Sequence, residues 1–184
     1  FTAAYKAVIH MYFVTGRPIR WMVEIKENFG FGTGICANGA LLYDFNNEKV
    51  LEEWLFPVDA QLETVKRLRQ VLPNVSFAVE IGKDFNREKK YVPRWDVGQD
   101  NVGVDKIEEV ITKPALKMLA RCANGEYSSD EMLEIATKEL QGIASPTHSN
   151  ISDSLLEISA DGVSKGATLS KIAARHGLTA EDCV

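Results

Sequence analysis

The chain is poor in the residues that build metal and thiol chemistry. It has three cysteines and three histidines in 184 residues. Cys36, Cys122 and Cys183 stand far apart, and no CxxC pair occurs. That argues against a zinc site and against the disulfide framework of small secreted domains. Separated thiols in odd number fit a reducing cytoplasm. No Cys–His arrangement suggests a thiol hydrolase. No apolar run is long enough to span a bilayer. No secretory signal is visible, and the chain opens on Phe1 rather than Met. Positive charge is not in excess either. The 21 Lys and Arg stand against 26 Asp and Glu, giving a net charge of −5 and a pI near 5.3. No nucleic acid and no membrane surface is expected as a partner. Internal repeats and low-complexity segments are absent as well.

What is present is ordinary globular composition, 45% apolar and 26% charged. The length allows one domain or two small ones. A globule of this size buries roughly 70% of its unfolded surface and needs no staples. The organising stretch is Tyr12-Phe13-Val14-Thr15-Gly16-Arg17-Pro18. Its first three residues are strand formers, and Pro18 suits the first turn of a helix. Thr15, Gly16 and Arg17 then sit where a helix N-terminus offers N–H groups and a positive dipole end to an anion, phosphate being the usual one. An ordinary strand-to-helix turn reads the same way.

Along the chain, Thr2 to Ile9 reads as the end of a helix. Residues 19–29 read as a second helix, closed by Gly30. Residues 35–44 read as a buried strand, an Asn38-Gly39 break and a second strand, and Asn-Gly alone is also a hairpin signal. Val50 to Phe56 is a strand that can pair back on residues 41–45. Asp59 caps a helix with Leu62, Val65, Leu68 and Leu72 on one face. Residues 75–81 alternate as a half-buried strand, with one solvated face or one helix-covered face. Residues 83–104 read as polar and irregular, and residues 105–110 as a short helical turn. Residues 115–122 are a strand. Ser128 and Glu131 make a capping box for a helix carrying Met132, Leu133, Ala136 and Leu140. Ile143 and Ala144 start a further strand, and residues 155–158 form a last short one. Ser164-Lys165-Gly166 precedes a helix over 167–176, closed by Gly177. Thr179 and Asp182 form a capping pair, and Cys183-Val184 read as the start of a buried strand.

Lys165 is the second feature of interest. A cation at a helix N-terminus opposes the dipole, which makes better sense if an anion sits there too. A lysine that extends into solvent is the alternative. If the helices after Thr15 and after Ser164 flank one parallel sheet, both turns fall at the same strand ends, where open α/β sheets place their ligands.

Three segments, Thr15-Gly16-Arg17-Pro18, Cys36-Ala37-Asn38-Gly39-Ala40 and Asp161-Gly162-Val163-Ser164-Lys165-Gly166, resemble in order and context the haloacid dehalogenase superfamily. The resemblance is to its Cof-type branch, with a large C2-type cap between the second and third motifs. It implies an α/β fold: a Rossmann-like parallel-sheet core, incomplete in this chain, at residues 1–56 and 156–184, with an α/β cap inserted at 57–155. It implies a Mg²⁺-dependent phosphatase of small phosphorylated metabolites, such as sugar phosphates, acting through an aspartyl-phosphate. Thr15 corresponds to the hydroxyl that binds the transferring phosphoryl group, and Gly16 lets the backbone approach it. Lys165 corresponds to the lysine that pairs with the nucleophilic aspartate and the phosphoryl oxygens. Asn38 and Gly39 line the same site, and Arg17 belongs to the pattern. The superfamily's first motif, Asp-x-Asp-Gly-Thr, is expected before Phe1. The fourth, with metal ligands, is expected after Val184. As written the chain is thus expected to be inactive and to contribute no metal ligand.

Caps of this kind exclude water and choose the leaving group. Arg87, Lys89, Lys90, Arg94 and His148 are candidates for substrate contact, with Glu80 beside them, though solvated polar loops read alike. Cys36 reads as a small buried hydrophobe. Two other functions stay open: phosphotransfer by a mutase on the same fold, and a non-catalytic α/β domain that binds a ligand or partner.

Overall fold

The computed structural model describes residues 9–22, 25, 27–28, 32–123 and 126–183. The helix expected over Thr2 to Ile9 lies almost wholly outside them, as does Val184. In chain order the elements are β1 (Tyr12–Val14), β2 (Thr33–Cys36), β3 (Leu41–Asp44), β4 (Lys49–Glu53), α1 (Val58–Val71), β5 (Ser76–Ile81), β6 (Asp84–Arg87), β7 (Lys117–Arg121), α2 (Ser129–Glu139), β8 (Ala144–Thr147), β9 (Leu155–Ala160) and α3 (Lys165–Arg175). The chain divides into two compact units, one of Phe1–Trp54 with Val163–Val184, the other of Leu55–Gly162.

The first unit carries a four-stranded sheet in the order β1-β2-β3-β4. Only β1 and β2 are parallel, with Tyr12 opposite Thr33 and Val14 opposite Ile35. The β2–β3 and β3–β4 pairs are antiparallel. Parallel neighbours need a crossover, which residues 15–32 supply. Its beginning departs from the helix expected there: Pro18 leads into a single 3₁₀ turn, Ile19–Trp21. Much of the remainder of that expected helix lies outside the described residues. One face of the sheet is covered by α3, where Ile35, Leu42 and Ile172 form a buried cluster with Tyr12, Trp54 and Leu169 against it.

The second unit is a five-stranded antiparallel sheet in the order β6-β5-β7-β9-β8 with α1 and α2. The Ser128 capping box on α2 is present: Glu131 N–H donates to Ser128 Oγ at 3.2 Å, and Ser128 N–H to Glu131 Oε2 at 2.8 Å. Helix α1 starts after Pro57 with no side-chain cap, so Asp59 is a first-turn acid rather than the cap. Three expectations are corrected here. β5 is buried on both faces except at Ile81, which removes the solvated-face alternative. The supposedly irregular stretch after residue 83 contains β6, joined to β5 by the two-residue turn Gly82-Lys83, with Gly82 at φ +60°. β9 runs on to Ala160 between β7 and β8, so residues 155–160 belong to this sheet.

Candidate functional site

Three backbone segments of the first unit meet beyond the ends of β1 and β2. Thr15 N–H donates to Ile35 C=O at 2.9 Å, the last rung of the parallel ladder. The chain then turns on its own hydroxyl: Arg17 N–H donates to Thr15 Oγ1 at 3.1 Å, a local threonine turn. Accepting that bond leaves the Thr15 O–H as a donor. Thr15 and Gly16 are half-buried and Arg17 is exposed.

The segment after β2 is bound to this turn. Ala37 N–H donates to Arg17 C=O at 3.0 Å and Asn38 N–H to Thr15 C=O at 3.2 Å. Ala37 and Asn38 both take positive φ, 49° and 60°. This conformation is uncommon outside glycine and is a feature of functional turns. The Asn38-Gly39 break therefore makes a one-turn 3₁₀ segment, Ala37–Gly39, rather than a two-residue hairpin. Asn38 and Gly39 are buried.

The third segment is the start of α3. Ser164 is its N-cap, its Oγ accepting from Ala167 N–H at 3.1 Å. Lys165 is the first helical residue and is exposed. Thr168, one turn on, donates from Oγ1 to Gly39 C=O at 2.8 Å, so the helix start is pinned to the Asn38-Gly39 turn. Sequence reasoning missed Ser164 as the cap and Thr168 as the pin. A serine three residues before the first clear helical residue was the available signal for Ser164; nothing local marks Thr168.

The remaining candidates lie in the second unit, and most are engaged in holding it together. Arg87 donates to the carbonyls of Glu88, Lys89, Tyr91 and Asn101, at 2.6 Å for the last. Lys89 pairs with Asp105 at 2.8 Å, Arg94 with Asp153, and His148 Nε2 with Asp130 at 2.6 Å. Glu80 is buried. Lys90 is exposed and 3.8 Å from Glu88 Oε2.

Cys36 is fully buried, and burial pushes its thiol up to about 12, which suits packing and not nucleophilic attack. Cys183 is exposed rather than opening a buried strand. Among the described residues no group of three His, Cys, Asp or Glu comes together to hold a metal ion. The described residues alone do not make a Mg²⁺ site. No described helix is long and apolar enough to cross a membrane.

The arrangement is a strand end, a strained turn and a helix N-terminus with a lysine, the first two knitted by backbone hydrogen bonds and the last joined through the Thr168 side chain. Donors so placed can hold an oxyanion. A family model described as haloacid dehalogenase-like hydrolase matches residues 1–184. The chain belongs to that family.

The chain also shares its fold with solved structures. One is a phosphatase of the same superfamily from Bacteroides thetaiotaomicron, at 16% identity and a TM-score of 0.72, covering 97% of this chain and 63% of that one. Another is a haloacid dehalogenase-like hydrolase from B. subtilis, at 18% identity and a TM-score of 0.67, covering 98% and 72%. A third is a subclass IIB sugar phosphatase, at 15% identity and a TM-score of 0.69, covering 98% and 68%. The chain thus spans 63% of the length of the Bacteroides phosphatase. No curated protein matches it in sequence.

Proposed function

We propose that the first unit binds the phosphoryl group of a small phosphorylated metabolite, and that the parent enzyme is a phosphatase. One observation carries this reading. The Asn38-Gly39 turn is bonded on one side to Thr15 and Arg17 and on the other to the first turn of α3. Thr15 Oγ1 would donate to the phosphoryl oxygens, with Gly16 leaving room for them to approach the backbone. Lys165 would set a point charge against them. Asn38 and Gly39 would form the wall between the two, and Arg17 would close the rim. Donors fixed in advance need no reorganisation as charge develops during transfer.

The reaction implied by the family resemblance is hydrolysis through an aspartyl-phosphate with Mg²⁺ as cofactor. Of that reaction, the part assigned to the residues described here is phosphate binding and charge neutralisation. The unit at 55–162 is read as the cap, and sugar phosphates as the substrate class, because a subclass IIB sugar phosphatase shares the fold. A cytoplasmic site of action fits the two buried free thiols. The test is release of inorganic phosphate from a panel of phosphate monoesters by the parent protein, with Thr15→Val and Lys165→Met beside it. Release by the parent and its loss in both variants is expected. Isomerised product without phosphate release would replace the phosphatase with a mutase.

A further inference from the structure

Thr168 lies one turn into α3, three positions after Lys165. Residues so spaced share a helix face, so the two side chains leave α3 on the same side. Thr168 is only 1% exposed. A threonine in a helix can turn its hydroxyl back to the carbonyl four residues before it. Here that carbonyl belongs to Ser164 and accepts the Thr168 N–H at 3.0 Å. The hydroxyl leaves the helix instead and donates to Gly39 C=O at 2.8 Å, a buried bond between residues 129 apart in the chain.

Two kinds of contact hold α3 on its sheet. Ile172 and Leu169 pack with Ile35 and Leu42. Such burial is non-directional, so it holds the helix to the sheet but sets its slide and rotation only loosely. The Thr168 bond is directional and fixes the first turn of α3 against Gly39. Gly39 follows Asn38, whose N–H donates to Thr15 C=O at 3.2 Å. A chain of bonds thus runs from the Thr15 turn through Asn38 and Gly39 to Thr168. Lys165 has no tether of its own. Its side chain is exposed and, among the described residues, has no hydrogen-bond or ion-pair partner. Where it stands follows from where α3 begins.

We infer that Thr168 is a positioning residue, whose hydroxyl sets where Lys165 stands relative to the Thr15 turn. The inference rests on the phosphoryl-binding reading of these loops. The pull of a point charge on an anion changes with distance. A lysine displaced with the helix start would therefore hold phosphate less well even where the fold persists.

The test is a double-mutant cycle on the binding of inorganic phosphate to the full chain, with Thr168→Ala, Lys165→Met and the two together. Alanine suits a helix interior, and Thr168→Val takes its place if Thr168→Ala does not fold. Thr168→Ala is expected to weaken phosphate binding by about fivefold, and Lys165→Met by about tenfold. The double variant should bind no more weakly than Lys165→Met alone. Thr168→Ser keeps the hydroxyl and should restore affinity to within about twofold of the parent sequence. An unchanged affinity in Thr168→Ala, an equal loss with and without Lys165, or no rescue by serine would overturn the inference. Phosphate that fails to bind the parent sequence, or binds Lys165→Met as tightly, would instead remove the phosphoryl-binding reading beneath it, so the two fail in distinguishable ways.

Discussion

Gly39 and Ser164 touch so closely that a side chain at Gly39 has no room. A Cβ built there would stand 2.4 Å from the Ser164 carbonyl oxygen and 2.9 Å from Thr168 Oγ1, and the backbone is at φ +105°. Strain and overlap therefore act together. Gly39→Ala is expected to lower stability by about 2 kcal/mol or more, read as a shift in urea midpoint. An unchanged midpoint would mean that the turn and α3 are not packed as described.

Thr15→Val keeps the shape of the side chain and removes the hydroxyl. The lost bond is an exposed one from Arg17 N–H, so stability is expected to fall by no more than about 1 kcal/mol. Phosphate affinity at this loop should fall by about tenfold. Calorimetric titration with inorganic phosphate checks the second figure, and thermal unfolding the first.

Lys165→Met removes the cation that opposes the α3 dipole. In the absence of phosphate the variant should be as stable as the parent or slightly more so. Turnover by the parent enzyme should fall by about a hundredfold or more. Stability and turnover moving together in the same direction would point to a structural role instead.

Glu88 is the buried acid on which the second unit turns. Its side chain is fully covered, and it accepts from Arg69 at 2.5 Å, from Phe77 N–H at 3.1 Å and from Ile107 N–H at 3.2 Å. Glu88→Ala leaves the Phe77 and Ile107 N–H groups buried and unpaired, while Arg69 keeps Glu108 at 2.9 Å, and a loss of about 3 kcal/mol is expected. Chemical denaturation of the variant measures it.

The two buried thiols give a pH signature. Burial raises Cys36 from 9.0 to about 12, and Cys122 from 9.0 to about 11, with the Glu126 charge adding to the second. In the unfolded chain both ionise near their ordinary value, and in the folded chain they stay neutral. Stability from this source is intact below pH 9 and declines as pH rises from there toward the raised values. In native protein near neutral pH, a thiol reagent should label Cys183 fast and the other two only on unfolding.

Much of the first unit was legible because its signals are local. Strand formers before Thr-Gly-Arg-Pro, the Asn38-Gly39 break and the serine before Lys165 each mark a turn whose chemistry lies in a few adjacent residues. The joining of those turns was not legible from spacing alone. It depends on the Thr168 bond to Gly39 across most of the chain, and family resemblance supplied the link. The second unit was read less well. Ser76 and Glu80 look like a solvated face, but Ser76 bonds to the Arg121 carbonyl at 3.0 Å and Glu80 is covered. The Gly82-Lys83 turn was overlooked amid charged residues, and β6 with it. The family resemblance put residues 156 onward in the core, whereas hydrogen bonding places β9 between β7 and β8.

The most direct measurement follows the backbone amides of Thr15, Gly16, Asn38 and Lys165 as inorganic phosphate is added, in the parent sequence and in Thr15→Val. Saturable shifts in this set, weakened in the variant, are the predicted result. Amides that do not move, or that move alike in both proteins, would contradict the assignment of these loops to a phosphoryl group.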